Sequence, residues 1–269
     1  MKRLMEYRIV SGRTVEIRRS WISTDRDYHK PRGHRRAGSS SAAKIRANER
    51  DSMRRLARII NCNFDAGDAS VALKYDDPHY PGSYEDARNV LTRKFLPALR
   101  RAYRKATGKA LAAVWVTANW SPKRDAPARL HHHIVLTRDA AEIARDLWEM
   151  KFGGLGSFAM ESLDGRGDHT DLAAYMFRNV HDRPAGENRW SACRGMKQPV
   201  IEEPVEVTDV EDIQPIYSST VRDVSESRDE DGRVISKYMR VTLKEPPKRR
   251  GNMIIYPKRM PRRRQEVRE

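Results

Sequence analysis

The sequence predicts an α+β fold with a mostly antiparallel central sheet and helices packed on one face of it. Three observations carry that expectation. Between residues 55 and 200, segments with strand and helix periods follow one another in the order β-α-β-β-α-β-α. Two of the strand candidates, 111–120 and 129–137, are separated only by the loop SPKRDAPA, which suits antiparallel neighbours. Hydrophobic residues make up 38% of the 269-residue chain and charged residues 33%, enough for one core under a very polar surface.

The elements follow in order. Residues 1–54 form a basic N-terminal arm, in which EYRIVSGRTVEIRRSWIS alternates as a hairpin around Ser11-Gly12 and KPRGHRRAGSSSAAK reads as a flexible basic linker. A helix over 43–61 turns Leu56, Ile59 and Ile60 to one side. DASVALKY, 68–75, alternates with period two and is a strand. DDPHYPGS turns the chain, and Ser83 is placed to cap a helix from Tyr84 to about Lys105, with Leu91, Phe95, Leu99 and Ala102 on one side and a kink at Pro97. LAAVWVTANW and RLHHHIVLT are the next two strands. Asp139, with Glu142 three residues on, predicts a capped helix over 139–150, buried through Ile143, Leu147 and Met150. A further strand falls around 157–163, and DLAAYMFRNV is helical. Residues 201–269 are expected to form an extension, acidic then basic and partly disordered, with VISKYMRVTL as one strand in it.

A net charge of +16 points to a polyanionic partner, and nucleic acid fits it better than a membrane surface. Cys62 and Cys193 belong to no CxxC pair, which argues against a disulfide scaffold or a cysteine zinc site and suits the cytoplasm. MKRLMEYRIV lacks the apolar run of a signal peptide, and no membrane span is expected.

Two motifs carry chemistry. In the strand around His131-His132-His133, alternate residues share a face, so His131 and His133 point one way and His132 the other. Two imidazoles at that spacing can meet one metal ion. In the helix DLAAYMFRNV, Tyr175 has Arg178 and Asn179 three and four positions on. Beside a cation, its phenol is either an attacking group or a core residue, and the arginine would favour the ionised phenol or bind a phosphate oxygen.

Taken together, these residues resemble the HUH endonucleases. His131-His132-His133 looks like their His-hydrophobic-His strand, and Tyr175 to Arg178 looks like their Tyr-x-x-Lys helix with arginine for lysine. DASVALKY lies where rolling-circle replication initiators of plasmids and phages carry their first strand motif. GENRWSACRGMKQP resembles the stretch that follows their tyrosine helix, through Trp190, Ser191, Arg194, Lys197 and Pro199. The resemblance covers residues 55–200, and it implies an RRM-like palm. It also implies a single-tyrosine nickase acting on single-stranded DNA at a replication origin, with a host helicase and polymerase as later partners. His131 and His133 would hold Mg2+ or Mn2+, and Tyr175 would attack the phosphorus, keeping a 5′-phosphotyrosine link and freeing a 3′-hydroxyl. On this resemblance Arg129, Arg194 and Lys197 are placed to contact phosphates, and Trp190 either stacks on a base or belongs to the core. One departure stands out. Relatives carry a carboxylate ligand near the end of the strand before the histidines, where this chain has Ala118 and Asn119, leaving Asn119 or Glu161 as substitutes. A relaxase- or transposase-like nickase and a non-catalytic DNA-binding protein are the alternatives.

Overall fold

The computed structural model describes residues 2–23, 42–151, 154–181, 183, 187–251 and 253–257. Most of the expected basic linker, and the last residues of the basic tail, lie outside them. Along the chain run β1 (Lys2–Ser11), β2 (Thr14–Ser23), α1 (Ala42–Asn63), β3 (Ala69–Lys74), α2 (Tyr84–Asn89), a π-helical stretch (Val90–Phe95), α3 (Leu96–Thr107), β4 (Ala113–Ser121) and β5 (Ala126–Leu136). There follow α4 (Arg138–Asp146), a second π-helical stretch (Leu147–Lys151), β6 (Phe158–Ser162), α5 (Thr170–Arg178), and the short strands β7 (Ser191–Ala192), β8 (Val200–Ile201) and β9 (Val205–Glu206). The chain ends in β10 (Ser219–Arg228), β11 (Val234–Leu243), β12 (Lys248–Arg250) and β13 (Met253–Ile255). The fold is α+β with antiparallel sheets. No helix among the described residues is long and apolar enough to cross a membrane.

The chain divides into two compact units, Gly38–Gln198 and Met1–Ala37 with Pro199–Glu269. The second unit corrects the expected division into arm, domain and extension. The β1–β2 hairpin forms as its sequence indicates, turning at Gly12 with φ 60°. It does not stand as a separate arm, because it shares a sheet in the order β10-β11-β2-β1-β8, with β9 also on β1. Val10, Val15, Ile17, Met239, Val241 and Leu243 make its core. The acidic stretch expected to be irregular contains β10, an edge strand that is exposed along nearly its whole length, which explains why it carries no apolar alternation. Part of the basic tail is ordered too, as the β12–β13 pair.

In the unit Gly38–Gln198 the sheet runs β6-β3-β5-β4-β7, with every pair antiparallel. Both faces are covered, since Ile134, Val135 and Leu136 are buried in succession on β5. On the His132 face, the Tyr75 ring meets Trp148 at 5.7 Å and Trp148 meets Phe95 at 5.3 Å, so the helices crossing between strands pack there. Helix α5 packs on the opposite face, which amends the expectation of helices on one face only. Helix α1 packs on α5, and Asn61 accepts the His169 N–H at 2.8 Å.

Pro97 does more than kink a helix. The expected single helix is three pieces, in which the Leu96 N–H reaches back five residues to the Leu91 carbonyl. A widened turn here takes the Arg93 carbonyl away from the proline ring, which would otherwise clash with it. Ser83 caps α2 as expected, its Oγ accepting the Asp86 N–H at 3.1 Å. The capping arrangement expected at Asp139 does not form. Thr137 occupies the cap position of α4, while the Asp139 carboxylate accepts Tyr103 Oη–H at 3.1 Å and the Ala140 N–H at 2.9 Å. Glu142 pairs instead with Arg138 at 2.9 Å and with Arg145. The buried side of this helix is Ala140, Ala141, Ala144 and Trp148, whereas Met150 is 76% exposed. Small alanines let the backbone approach the sheet closely, which a stripe of Leu and Met would prevent.

Candidate functional site

Strand β5 sets the three histidines by its alternation. His131 and His133 point to the α5 face with their Nε2 atoms 3.1 Å apart. The Arg129 carbonyl accepts from His131 Nδ1–H at 2.8 Å, which leaves the His131 Nε2 lone pair facing His133, whose Nε2–H donates to it until an ion takes the proton's place. Two imidazole nitrogens, each about 2.1 Å from one ion and at right angles about it, stand about 3 Å apart. The observed spacing fits two adjacent positions of a metal's coordination sphere. Burial pushes His133 down to about 3, assisted by the charges of His131 and Lys74, and burial also lowers His131. Both rings are therefore neutral, the form that ligates.

His132 is wholly buried on the other face. Its Nε2 meets Tyr75 Oη at 2.7 Å and its Nδ1 meets Thr117 Oγ1 at 3.2 Å. Burial pushes it down to about 3, so it is a neutral structural residue that joins β3, β4 and β5.

Tyr175 projects from α5 beside the pair, its ring 5.2 Å from that of His133 in an edge-to-face contact. It is 43% exposed, so it is no core residue, while its neighbours Ala173, Met176 and Phe177 are buried and anchor the helix. Arg178, one turn on, is exposed and has no side-chain partner among the described residues. Asn179 is buried and ends the helix, its Nδ2–H donating to the Tyr175 carbonyl at 2.8 Å.

The carboxylate gap is real. Ala118, opposite His131 on β4, is fully buried. Asn119 does not substitute as a ligand, because its side chain is committed elsewhere. Its Oδ1 accepts the His181 N–H at 2.8 Å and its Nδ2–H donates to the His181 carbonyl at 3.2 Å. The Asn119 and Trp120 N–H groups both donate to the Asn179 carbonyl, at 3.0 and 3.1 Å, across a bulge in β4. Asn119 thus fastens the end of the tyrosine helix to the strand beside the histidines. Glu161 shares the face of His133 but lies two strands away and one row along, roughly 12 Å between Cα atoms by sheet spacing. Among the described residues, no three His, Cys, Asp or Glu side chains converge.

A residue not singled out from sequence does join the site. Lys74 is the β3 partner of His131, on the same face and exposed. In ASVALK its parity with Ala72 and Ser70 is evident, but only knowledge that β3 pairs with β5 directs it at the histidines.

The expected DNA contacts divide. Arg129 is engaged with Asp77 at 2.5 Å and lies over the Tyr80 ring at 4.5 Å, so its contribution to the site is its carbonyl. Trp190 is half-buried against the core, with Nε1–H donating to the Ser52 carbonyl and hydroxyl at 3.2 and 3.1 Å. It serves as an anchor for α1, not as an open stacking platform. The Lys197 backbone is clamped by the Asn63 amide in both directions, at 2.8 and 2.9 Å, and its side chain is exposed, as is that of Arg194. Arg189, over the Phe177 ring at 4.7 Å and paired with Glu49, completes a strap from α5 to α1. No protein-family model, curated protein or solved structure matches the chain.

Proposed function

We propose that the chain is a rolling-circle replication initiator of the HUH type, which nicks single-stranded origin DNA and becomes joined to its 5′ end. The observation that carries this reading is Tyr175 standing 5.2 Å, ring to ring, from His133, whose Nε2 is 3.1 Å from that of His131. Supporting the RRM-like palm of that family is the strand order. Counting β3, β4, β5 and β6 as first to fourth, the sheet runs fourth-first-third-second, the ferredoxin-like arrangement of a β-α-β-β-α-β unit. The basic composition, +16 overall, suits a DNA substrate reached in a bacterial host cytoplasm.

In this mechanism Tyr175 Oη attacks the phosphorus in line with the departing 3′ oxygen. The new bond joins Oη to phosphorus, the P–O3′ bond breaks, and the phenol's proton is balanced by the one gained by the 3′-hydroxyl. Mg2+ or Mn2+, when held by His131 and His133, would supply the charge that polarises the scissile phosphate. Arg178 takes a phosphate oxygen. Anchoring of α5 through Asn179 and Asn119 holds the phenol at the imidazoles, so attack costs little reorganisation.

The experiment is incubation with Mn2+ and a labelled single-stranded DNA pool, followed by a denaturing gel. A covalent adduct is expected from the wild type, and none from Tyr175→Phe or from His131→Ala with His133→Ala. An adduct from Tyr175→Phe overturns the mechanism. The buried Ala118 in the carboxylate position favours a second reading, a non-catalytic DNA-binding protein. That reading gains if the wild type binds the pool and forms no adduct. A relaxase- or transposase-like nickase would form the adduct but join strands without an origin.

A further inference from the structure

The strand pairing that makes the histidine site also brings a cation to it. Lys74 stands at the last position of β3, directly across from His131, and cross-strand partners have Cβ atoms about 5 Å apart. On its other side His131 faces Ala118, so the row reads Lys74, His131, Ala118, with an ammonium at one end and no carboxylate at the other. The Lys74 side chain is exposed and makes no ion pair or hydrogen bond among the described residues. Its charge reaches both imidazoles and adds to the effect of burial on them. The other nearby cation on the strand side, Arg129, is already held by Asp77. The backbone on either side of Lys74 is fixed by contacts of its own. The Lys74 N–H donates to the Ser157 carbonyl at 3.0 Å and the Asp76 N–H to the Leu155 carbonyl at 2.9 Å.

A site with two neutral ligands and an adjoining cation has a different charge balance from one with two histidines and a carboxylate. It holds a divalent ion less tightly, and it holds an anion more tightly. We propose that Lys74 is an anion-binding residue of this site, whose ammonium takes a non-bridging oxygen of the DNA phosphate lying against His131 and His133. The proposal rests on the nickase reading for the identity of the anion, but the contact itself needs no chemistry.

The test uses the full chain as wild type, Lys74→Met and Lys74→Arg, with unfolding midpoints measured to show that all three fold alike. Binding of a short oligothymidylate is followed by fluorescence anisotropy in EDTA across a range of salt concentrations, where no cleavage occurs. One lost phosphate contact on a single strand lowers the slope of log affinity against log salt by about 0.7. That drop is expected for Lys74→Met and its recovery for Lys74→Arg. Mn2+ binding to the DNA-free protein is measured separately. Removal of a positive charge beside the ion should tighten it, by roughly fivefold in Lys74→Met. An unchanged salt slope in Lys74→Met overturns the proposal whatever Mn2+ does, as does a wild type that fails to bind the oligonucleotide. Mn2+ binding that is unchanged or weakened in Lys74→Met overturns the placement of the ammonium beside the histidines. Absence of the tyrosine adduct, with the slope reduced as expected, would sink the nickase and leave the anion site standing.

Discussion

Substitution of Gly156 by alanine should damage the site from a distance. Gly156 has φ +149°, and a Cβ there would lie 2.0 Å from the Lys74 carbonyl oxygen and 2.7 Å from the Asp76 nitrogen. A carbon–oxygen contact needs about 3.3 Å, so the two segments must part by roughly 1.3 Å. The hydrogen bonds on either side, at 3.0 and 2.9 Å, would then be stretched beyond useful length. Each is worth about 1 kcal/mol, and forcing alanine into this backbone region adds about 1–3 kcal/mol. A loss of about 3–5 kcal/mol follows. Lys74 and Tyr75 sit at the displaced end of β3, and Tyr75 holds His132. On the proposed nickase reading, a displacement near 1 Å at such a position costs on the order of a hundredfold in rate. Urea unfolding followed by tryptophan fluorescence checks the stability, and hydrogen exchange at the Lys74 and Asp76 amides checks where the loss arises. A Gly156→Ala protein within 1 kcal/mol of the wild type, with those amides still protected, would refute this account.

Three further outcomes are expected. On the proposed metal role, Mn2+ binding by the histidine pair should persist below pH 6.5, because burial holds His133 down at about 3 and also lowers His131 from the ordinary value; loss of binding centred at pH 6.5 or above, by titration calorimetry, would contradict this. Stability should fall in acid, because His132 is held at about 3 in the folded protein, while the unfolded chain takes up its proton near 6.5. Above that value the group has no effect, and between the two values each pH unit lost favours unfolding about tenfold through His132, which urea midpoints across pH 4–7 would reveal. Trp190→Phe should cost about 1 kcal/mol through its lost bonds to Ser52. Oligonucleotide affinity should be unchanged, and a large drop in affinity without destabilisation would restore the stacking role.

The strands that frame the site were legible because each carries its own signal. The alternation of SVALK and the unbroken AVWV and HIVL runs need no knowledge of the rest of the chain. The opposed faces of His131 and His133 against His132 follow from the same alternation. Proximity of Tyr175 to them does not, since α5 is separated from β5 by a helix and a strand, and only the motif resemblance joined the two. Lys74 was hidden for a related reason, because which strand lies beside β5 is decided by long-range pairing. The second sheet was the least legible part. Its β2–β11 pairing joins residues more than two hundred positions apart, such as Ile17 and Met239, and β10 carries the polar pattern of an edge. Between stacking and core, the two roles the sequence left open for Trp190, only the structure decides, because an indole that donates to a backbone carbonyl looks, in sequence, like one free to stack.

The shared carbonyl of Asn179 also governs fluctuation. It receives the N–H groups of both Asn119 and Trp120, so the last turn of α5 and the bulge in β4 cannot fray independently. Opening either one breaks both donors at once. The amides of Asn119 and Trp120 should therefore exchange with solvent at a common rate, set by one cooperative opening. That opening also frees the turn that carries Tyr175 beside His133, so a single spectroscopic clock on the strand times the departure of the helix.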